Sequence, residues 1–149
     1  SGELSIMEEK RNILQHNFPE IDRLIALLAE YCEFALAFGS ALTPYFDEDS
    51  DIDLLIFPKQ GKNESEIRTS IAHADFSRTI DLVSAPDADP IISMQALGGH
   101  ALFGNHSIQF YDFLCRSLTD YEDLKISRKP CEVALIQRIQ YERKRRSLS

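Results

Sequence analysis

Apolar residues recur along this chain at two spacings, which predict helices in some segments and strands in others. Ile21, Leu24, Ile25 and Leu28 are three or four residues apart and therefore share one face of a helix. The apolar run Phe-Ala-Leu-Ala-Phe at 34–38 stops at a glycine, which is typical of a buried strand. Along the whole chain these patterns predict helices at 6–16, 21–32, 64–74, 90–97, 107–125 and 130–146, a short helix after Ser40, and strands at 34–38, 52–57 and 79–84. Interleaved helices and strands indicate an α/β (α+β) fold, and 149 residues suffice for one domain with a substantial core.

Two of these helices carry further local signals. Asp89 followed by Pro90 is typical of an N-cap and the first helical position, and the pair Gly98-Gly99 is expected to end that helix. The helix at 107–125 is amphipathic and has one apolar stripe. The stripe consists of Ile108, Tyr111, Leu114, Cys115 and Leu118.

A pair of aspartates at the start of the second predicted strand carries the clearest chemical signal. Strand side chains alternate between faces, so Asp51 and Asp53 point the same way, with Cα atoms roughly 6.6 Å apart. Two such carboxylates repel each other unless a cation neutralises them, and Mg²⁺ prefers carboxylate, phosphate and water oxygens. Gly39 would let the backbone approach a phosphate, and Ser40 would offer a hydroxyl at the N-terminus of the short helix. The pattern predicts a metal and phosphate site.

The sequence Gly39-Ser40, ten residues, and then Asp51-Ile-Asp53 resembles the signature of the DNA polymerase β-like nucleotidyltransferases. Within that superfamily the chain looks most like the minimal nucleotidyltransferases, which lack larger accessory domains. The resemblance implies a small mixed β-sheet flanked by helices, including N- and C-terminal helices.

Further matches to this family follow along the chain. The family has a third carboxylate on the next core strand, and Asp81, on the strand predicted at 79–84, matches it. The segments at 88–92 and 98–104 resemble the part that closes the minimal domain. The resemblance therefore covers a core at about 21–113 of a single domain that spans 1–149, with C-terminal helices at 107–146.

The resemblance also implies a chemistry, which is two-metal nucleotidyl transfer from ATP. Asp51 and Asp53 would hold the Mg²⁺ or Mn²⁺ that carries the triphosphate. Asp81 would hold or replace the second ion with them and activate the acceptor hydroxyl. Gly39 and Ser40 would cradle the terminal phosphates, so that pyrophosphate leaves and AMP remains on the acceptor.

The acceptor and partner are implied by the subfamily. The chain looks most like the MntA-type antitoxins of HEPN/MNT toxin–antitoxin pairs, in which the nucleotidyltransferase transfers AMP to tyrosine hydroxyls of a HEPN ribonuclease toxin. Residues 1–120 carry 8 Lys or Arg against 20 Asp or Glu, a net charge of −12, whereas residues 121–149 carry 8 against 4, a net +4. Direct nucleic-acid binding depends largely on Lys and Arg, so an acidic body disfavours it and suits a basic protein partner.

The chain departs from the family pattern at one place, and this keeps two alternatives open. Family members usually have an Arg just after the Gly-Ser pair, where this chain has Ala41-Leu42-Thr43. A binding-only antitoxin with a degenerate site is therefore one alternative to the enzyme. A nucleotidyltransferase for a small-molecule acceptor is another, although the chain leaves little room for the domain that would hold that acceptor.

Other classes of protein are disfavoured by motif and composition. The acidic run at 47–53 has EF-hand-like spacing, but Ile52 and Pro58 stand where that loop needs Gly and Glu. Asp47, Glu48 and Asp49 are better interpreted as a solvated turn. Three cysteines without Cys-x-x-Cys spacing suggest neither a disulfide framework nor a zinc site. The chain shows no membrane span and no signal-peptide pattern, and the expected location is the cytoplasm.

Overall fold

The computed structural model describes residues 2–125 and Arg143, and the rest of the C-terminal helix predicted at 130–146 lies outside the described residues. The helices are α1 (Gly2–Asn17), α2 (Ile21–Tyr31), α3 (Glu64–Ala74), α4 (Pro90–Leu97) and α5 (Ile108–Lys125). The strands are β1 (Cys32–Phe38), β2 (Ile52–Pro58), β3 (Ile80–Ser84) and β4 (His100–Phe103). Short 3₁₀ turns span Gly39–Leu42 and Ala85–Asp87. None of the helices within the described residues is long and apolar enough to cross a membrane.

The four strands form one mixed sheet in the order β3-β2-β1-β4. β1 runs antiparallel to both of its neighbours, β2 and β4. β2 and β3 are parallel, and the crossover that a parallel pair requires is α3. This arrangement confirms the α/β class and the small mixed sheet flanked by helices.

The crossover helix α3 begins and ends where its sequence provides caps. The Asn63 side chain accepts a hydrogen bond from the Glu66 amide at 2.8 Å, and Asp75 ends the helix in the left-handed conformation (φ 54°). Arg68 lies on this helix and donates from Nη2 to the carbonyl of Leu82 on β3 at 2.9 Å, while also pairing with Glu64 at 2.7 Å. The helix is thereby attached to the outer edge of β3.

Each face of the sheet has its own hydrophobic core. On one face α1, α2 and α3 cover alternate residues of the central strands, and the buried members include Leu14, Leu24, Leu28, Ile67, Ala35, Ala37, Ile52, Leu54 and Ile56. On the other face α4 and α5 cover the intervening residues, and the buried members are Phe34, Leu36, Leu55, Ala85, Ala96 and Phe113. Because β2 alternates between these cores, Asp53 lies on the same face as Leu55, with α4 and α5.

The edge strand β4 was not predicted from the sequence. It is only four residues long and follows the two glycines that were expected to end α4. Its pairing with β1, for example Ala37 with His100, depends on the absence of a side chain at Gly99. A Cβ at that position would overlap the carbonyl of Ala37. Close packing of backbones, which hydrophobic periodicity does not report, creates this strand.

The predicted apolar stripe of α5 was wrong, although the helix itself is confirmed. The side chains of Ile108, Tyr111 and Leu118 are 83%, 53% and 46% exposed, whereas Phe113 is 7% exposed. Phe110 and Phe113 pack on Phe34 of β1 with ring centroids 5.3 and 5.4 Å apart. Buried aromatic pairs contribute strongly to packing, and these contacts with Phe34 turn the Phe110 and Phe113 side of the helix toward the sheet.

We expect the two faces of α5 to differ sharply in their effect on stability. Phe113→Ala should lower the free energy of unfolding by about 3–5 kcal/mol, because it removes a buried ring and leaves a cavity. Ile108→Ala should change it by less than about 0.5 kcal/mol, because that side chain is mostly exposed. Urea unfolding monitored by circular dichroism measures both. The opposite order would contradict this orientation of α5.

Candidate active site

Asp53 and Asp81 are direct partners across the parallel β2–β3 pair. The residues on either side pair in the same register, Ile52 with Ile80 and Leu54 with Leu82. Neighbouring strands are roughly 4.8 Å apart, and paired residues point to the same face of a sheet. The sequence-predicted third carboxylate therefore lies beside the second, on one face of the sheet.

Gly39 packs directly against the carboxylate of Asp53. The β1–β2 register places Asp53 opposite Phe38, the residue before the glycine. Gly39 adopts φ +80°, and a Cβ added to it would overlap Asp53 Oδ2. A glycine is needed here for two reasons, the positive φ and the space that the carboxylate occupies. The Gly-Ser turn and Asp53 are thus brought together, as the sequence predicted.

Asp51 lies just before the strand that carries Asp53. It directly precedes β2, its side chain is exposed, and the strand begins at Ile52, whose amide donates to the Thr79 carbonyl at 2.9 Å. Asp53 is half-buried and Asp81 is exposed. Asp51 and Asp81 are thus open to a ligand, whereas Asp53 is partly enclosed beside Gly39.

The preceding acids form an exposed turn, as expected. Asp47 accepts hydrogen bonds from the Ser50 hydroxyl at 2.8 Å and the Asp49 amide at 3.0 Å. These bonds, the one from Ser50 first, lower the pKa of the Asp47 carboxyl. Asp47, Glu48 and Asp49 are all exposed.

The helix predicted after Ser40 is reduced to a 3₁₀ turn over Gly39–Leu42. Thr43 ends it by donating to the Ser40 carbonyl from its amide at 3.0 Å and its hydroxyl at 2.8 Å. Pro44 keeps Thr43 extended and has no amide hydrogen to continue the helix. The expected helix N-terminus is therefore too short to bind phosphate by its dipole. Ser40 remains at the turn beside Gly39 and is half-buried.

The position where the family usually has an arginine belongs to the core in this chain. Ala41 is fully buried and Leu42 is 6% exposed, and both pack in the core beneath α1 and α2. An arginine would have no room at residue 41 without local rearrangement. The turn after Gly-Ser thus supplies packing here instead of a cation.

Two residues that support this site were missed by sequence reasoning. Asn17, the last residue of α1, donates from Nδ2 to the carbonyls of Ala41 and Thr43 at 2.9 and 2.8 Å and so anchors the 3₁₀ turn. Arg78, just before β3, donates to the carbonyl of Asp47 at 2.6 Å. Neither has a motif of its own. A polar residue at the end of a helix and an arginine before a strand are too common to be diagnostic.

The three acids provide a donor set that suits Mg²⁺ in kind but is not closed. Carboxylate oxygens are the ligands that Mg²⁺ prefers, and it usually takes one or two of them while substrate phosphates and water complete its shell. Within residues 2–125 and Arg143, no group of three His, Cys, Asp or Glu side chains is arranged to hold a metal ion by itself. The site therefore fits an ion that arrives with a triphosphate better than a resident structural metal.

Comparison with solved structures shows the same fold in toxin–antitoxin proteins. A chain of a toxin–antitoxin crystal structure with AMP-PNP superposes with a TM-score of 0.61 at 20% identity, covering 77% of this chain and 97% of that one. A chain of the MntA–HepT toxin–antitoxin gives a TM-score of 0.52 at 19% identity, covering 82% and 98%. A chain of a tri-AMPylated Shewanella oneidensis HEPN toxin in complex with MNT antitoxin gives 0.52 at 19% identity, covering 83% and 98%. A search of curated proteins found no significant match.

The family itself is shown by a match to the family model described as "Polymerase beta, Nucleotidyltransferase" over residues 22–108, more than half of the chain. The matched segment contains the Gly39 turn, β2 with Asp53 and β3 with Asp81. The chain belongs to the polymerase β nucleotidyltransferase family.

Proposed function

We propose that this protein is an antitoxin that transfers AMP from ATP to a hydroxyl, expected to be that of a tyrosine, on a cognate HEPN toxin. The observation that carries the proposal is the in-register pair of Asp53 and Asp81, with Asp53 packed on Gly39. Supporting it, the similar folds come from toxin–antitoxin structures, one with AMP-PNP and one with a tri-AMPylated toxin. The net charge of −12 over residues 1–120 suits a basic partner.

Each residue has a role in this proposal. Asp51 and Asp53 would bind Mg²⁺ or Mn²⁺ together with the triphosphate, and Asp81 would share a second ion with Asp53. When bound, these ions would neutralise the charge on the triphosphate and on the departing pyrophosphate. The Gly39 backbone and the Ser40 hydroxyl would orient the terminal phosphates.

The step is an in-line displacement at the α-phosphorus of ATP. The acceptor hydroxyl oxygen forms a bond to this phosphorus while the bond to the bridging α–β oxygen breaks, so pyrophosphate leaves with that electron pair. Asp81 takes the proton of the acceptor hydroxyl, acting as general base. The product carries AMP through a phosphodiester bond.

A binding-only antitoxin is the second candidate, and the buried Ala41 in place of the usual arginine favours it. Such a protein would block the toxin by contact alone. A small-molecule acceptor is a third possibility within the enzyme class. In both alternatives the toxin would gain no AMP.

We expect the proposed cognate HEPN toxin to gain AMP when the two proteins are incubated with ATP and Mg²⁺, as measured by intact mass. Asp51→Asn combined with Asp53→Asn should abolish the transfer, because the amides keep the shape and remove the charge that holds the metal. Asp49→Asn, in the exposed turn nearby, is the matched control and should transfer normally. If the double variant still neutralises the toxin in cells and no mass change occurs with wild type, the binding-only candidate is correct.

Asp81→Asn should separate catalysis from binding. General-base help is worth about 10²–10⁴-fold, so single-turnover AMP transfer should fall by that factor while ATP affinity and the melting temperature change little. A destabilised variant with a wild-type rate per folded molecule would instead show that Asp81 is structural.

Gly39→Ala should impair transfer by displacing Asp53. The new methyl group would overlap the Asp53 carboxylate, in addition to a strain of about 1–2 kcal/mol from the left-handed backbone. Gly61→Ala is the matched control, since Gly61 has φ +85° and open space around it. It should lose stability but keep its rate per folded molecule. Equal rates in the two variants would mean that the Gly39 contact does not position Asp53.

A further inference from the structure

We propose that Arg78 is a positioning residue that holds Asp51 at the edge of the site. This inference rests on the proposed function only for what Asp51 does there. The contacts of Arg78 with the turn before Asp51 are independent of any reaction.

The Arg78 side chain contacts the turn that precedes Asp51. Its Nη1 donates to the carbonyl of Asp47 at 2.6 Å and, at a longer 3.5 Å, to the carbonyl of Ser50. The Ser50 carbonyl belongs to the peptide bond that joins Ser50 to Asp51, so this contact restrains the orientation of Asp51 itself. The guanidinium also lies over the Phe46 ring, with Cζ 4.3 Å from the centroid. Stacking on the ring fixes the plane of the guanidinium, and with it the position of the Nη1 that faces both carbonyls.

The residue after Arg78 restrains the other side of Asp51. The carbonyl of Thr79 accepts from the Ile52 amide at 2.9 Å. Arg78 and Thr79 therefore hold the peptide groups before and after Asp51, one through a side chain and one through the backbone. Asp81 follows Arg78 by three residues along the same segment. The start of β3 thus sets the positions of two of the three acids.

The turn at 47–50 needs an attachment to the sheet, because the hydrogen bonds within the turn join its residues to one another. Asp47 accepts from Ser50 and Asp49 within the turn. Arg78 joins this exposed, acidic turn to β3. Without Arg78, Asp51 would have more orientations in the free protein, and fixing it on a ligand would cost more conformational entropy. Outer residues that orient metal ligands are typically worth 10–100-fold in metal affinity or activity.

The chain offers a matched control for removing Arg78. Arg23 makes the same two kinds of contact, with Nη1 donating to the Ala74 carbonyl at 2.7 Å and the guanidinium 4.2 Å from the Phe76 centroid. It lies on α2, contacts the end of α3 instead of the turn at 47–50, and also pairs with Glu20 at 2.7 Å. Arg23→Gln therefore removes a carbonyl contact, a ring contact and an ion pair, yet only Arg78→Gln should affect the turn at 47–50.

The experiment has two readouts that need no reaction. Amide hydrogen exchange of Asp49 and Ser50 should speed up in Arg78→Gln and stay at the wild-type rate in Arg23→Gln. Mn²⁺ alone, followed by the broadening of NMR signals around Asp51 and Asp53, should need a concentration about 10–100-fold higher in Arg78→Gln. Arg78→Lys keeps the charge but loses the planar group that stacks on Phe46, so it should remain measurably weaker than wild type.

Three outcomes would overturn the proposal. The first is that Arg78→Gln keeps the exchange rates and the Mn²⁺ response of wild type, and the second is that Arg23→Gln shows the same losses as Arg78→Gln. The third is that Arg78→Lys behaves like wild type, which would mean that only the charge of Arg78 matters. AMP transfer is measured alongside. If wild type transfers no AMP, the proposed function fails while the exchange and Mn²⁺ measurements still decide the role of Arg78. If wild type transfers AMP and Arg78→Gln shows neither change, only the role of Arg78 fails.

Discussion

The parallel pairing of β2 with β3 is the constraint on which the site depends. It sets Asp53 beside Asp81, an arrangement that costs free energy because like charges directly opposite each other on neighbouring strands are destabilising. The apolar pairs on either side, Ile52 with Ile80 and Leu54 with Leu82, maintain the register against this repulsion. A slip of β2 by one residue would turn Asp53 to the face that α1, α2 and α3 cover with a hydrophobic core. The hydrophobic pattern of the strands therefore fixes the geometry of the carboxylates.

Around this pair, the loops that carry the remaining groups are held by single side chains from distant parts of the chain. Asn17 attaches the Gly39–Leu42 turn to the end of α1, and Arg78 attaches the acidic turn to the start of β3. Both act on backbone carbonyls, so they fix the course of the loop and leave its own side chains available. The site is thus a rigid sheet edge with two loops that are each secured at one or two points. Such an arrangement can exclude wrong orientations without enclosing the ligand.

The sequence predicted the proximity of Gly39, Asp53 and Asp81 better than the contacts that support them. A glycine turn and acids inside apolar strands are rare enough to be informative, whereas the supporting residues have no motif. β4 was missed because its pairing depends on backbone approach at Gly99, and the α5 stripe was wrong because the aromatic contacts of Phe34 lie far away in sequence. The helix predicted after Ser40 is only a 3₁₀ turn, because Pro44 keeps Thr43 extended. What sequence patterns omit are contacts between segments distant along the chain.

The bond from Arg68 to the Leu82 carbonyl has a consequence for how this protein can associate. β3 is an edge strand, and its free carbonyls are a template on which a strand from another molecule could continue the sheet. Because Thr79 directs its carbonyl to β2, the alternation of the strand directs that of Leu82 outward, where the guanidinium of Arg68 occupies it. An incoming strand would have to displace an arginine that is also paired with Glu64. Growth of the sheet from molecule to molecule is therefore opposed at this edge.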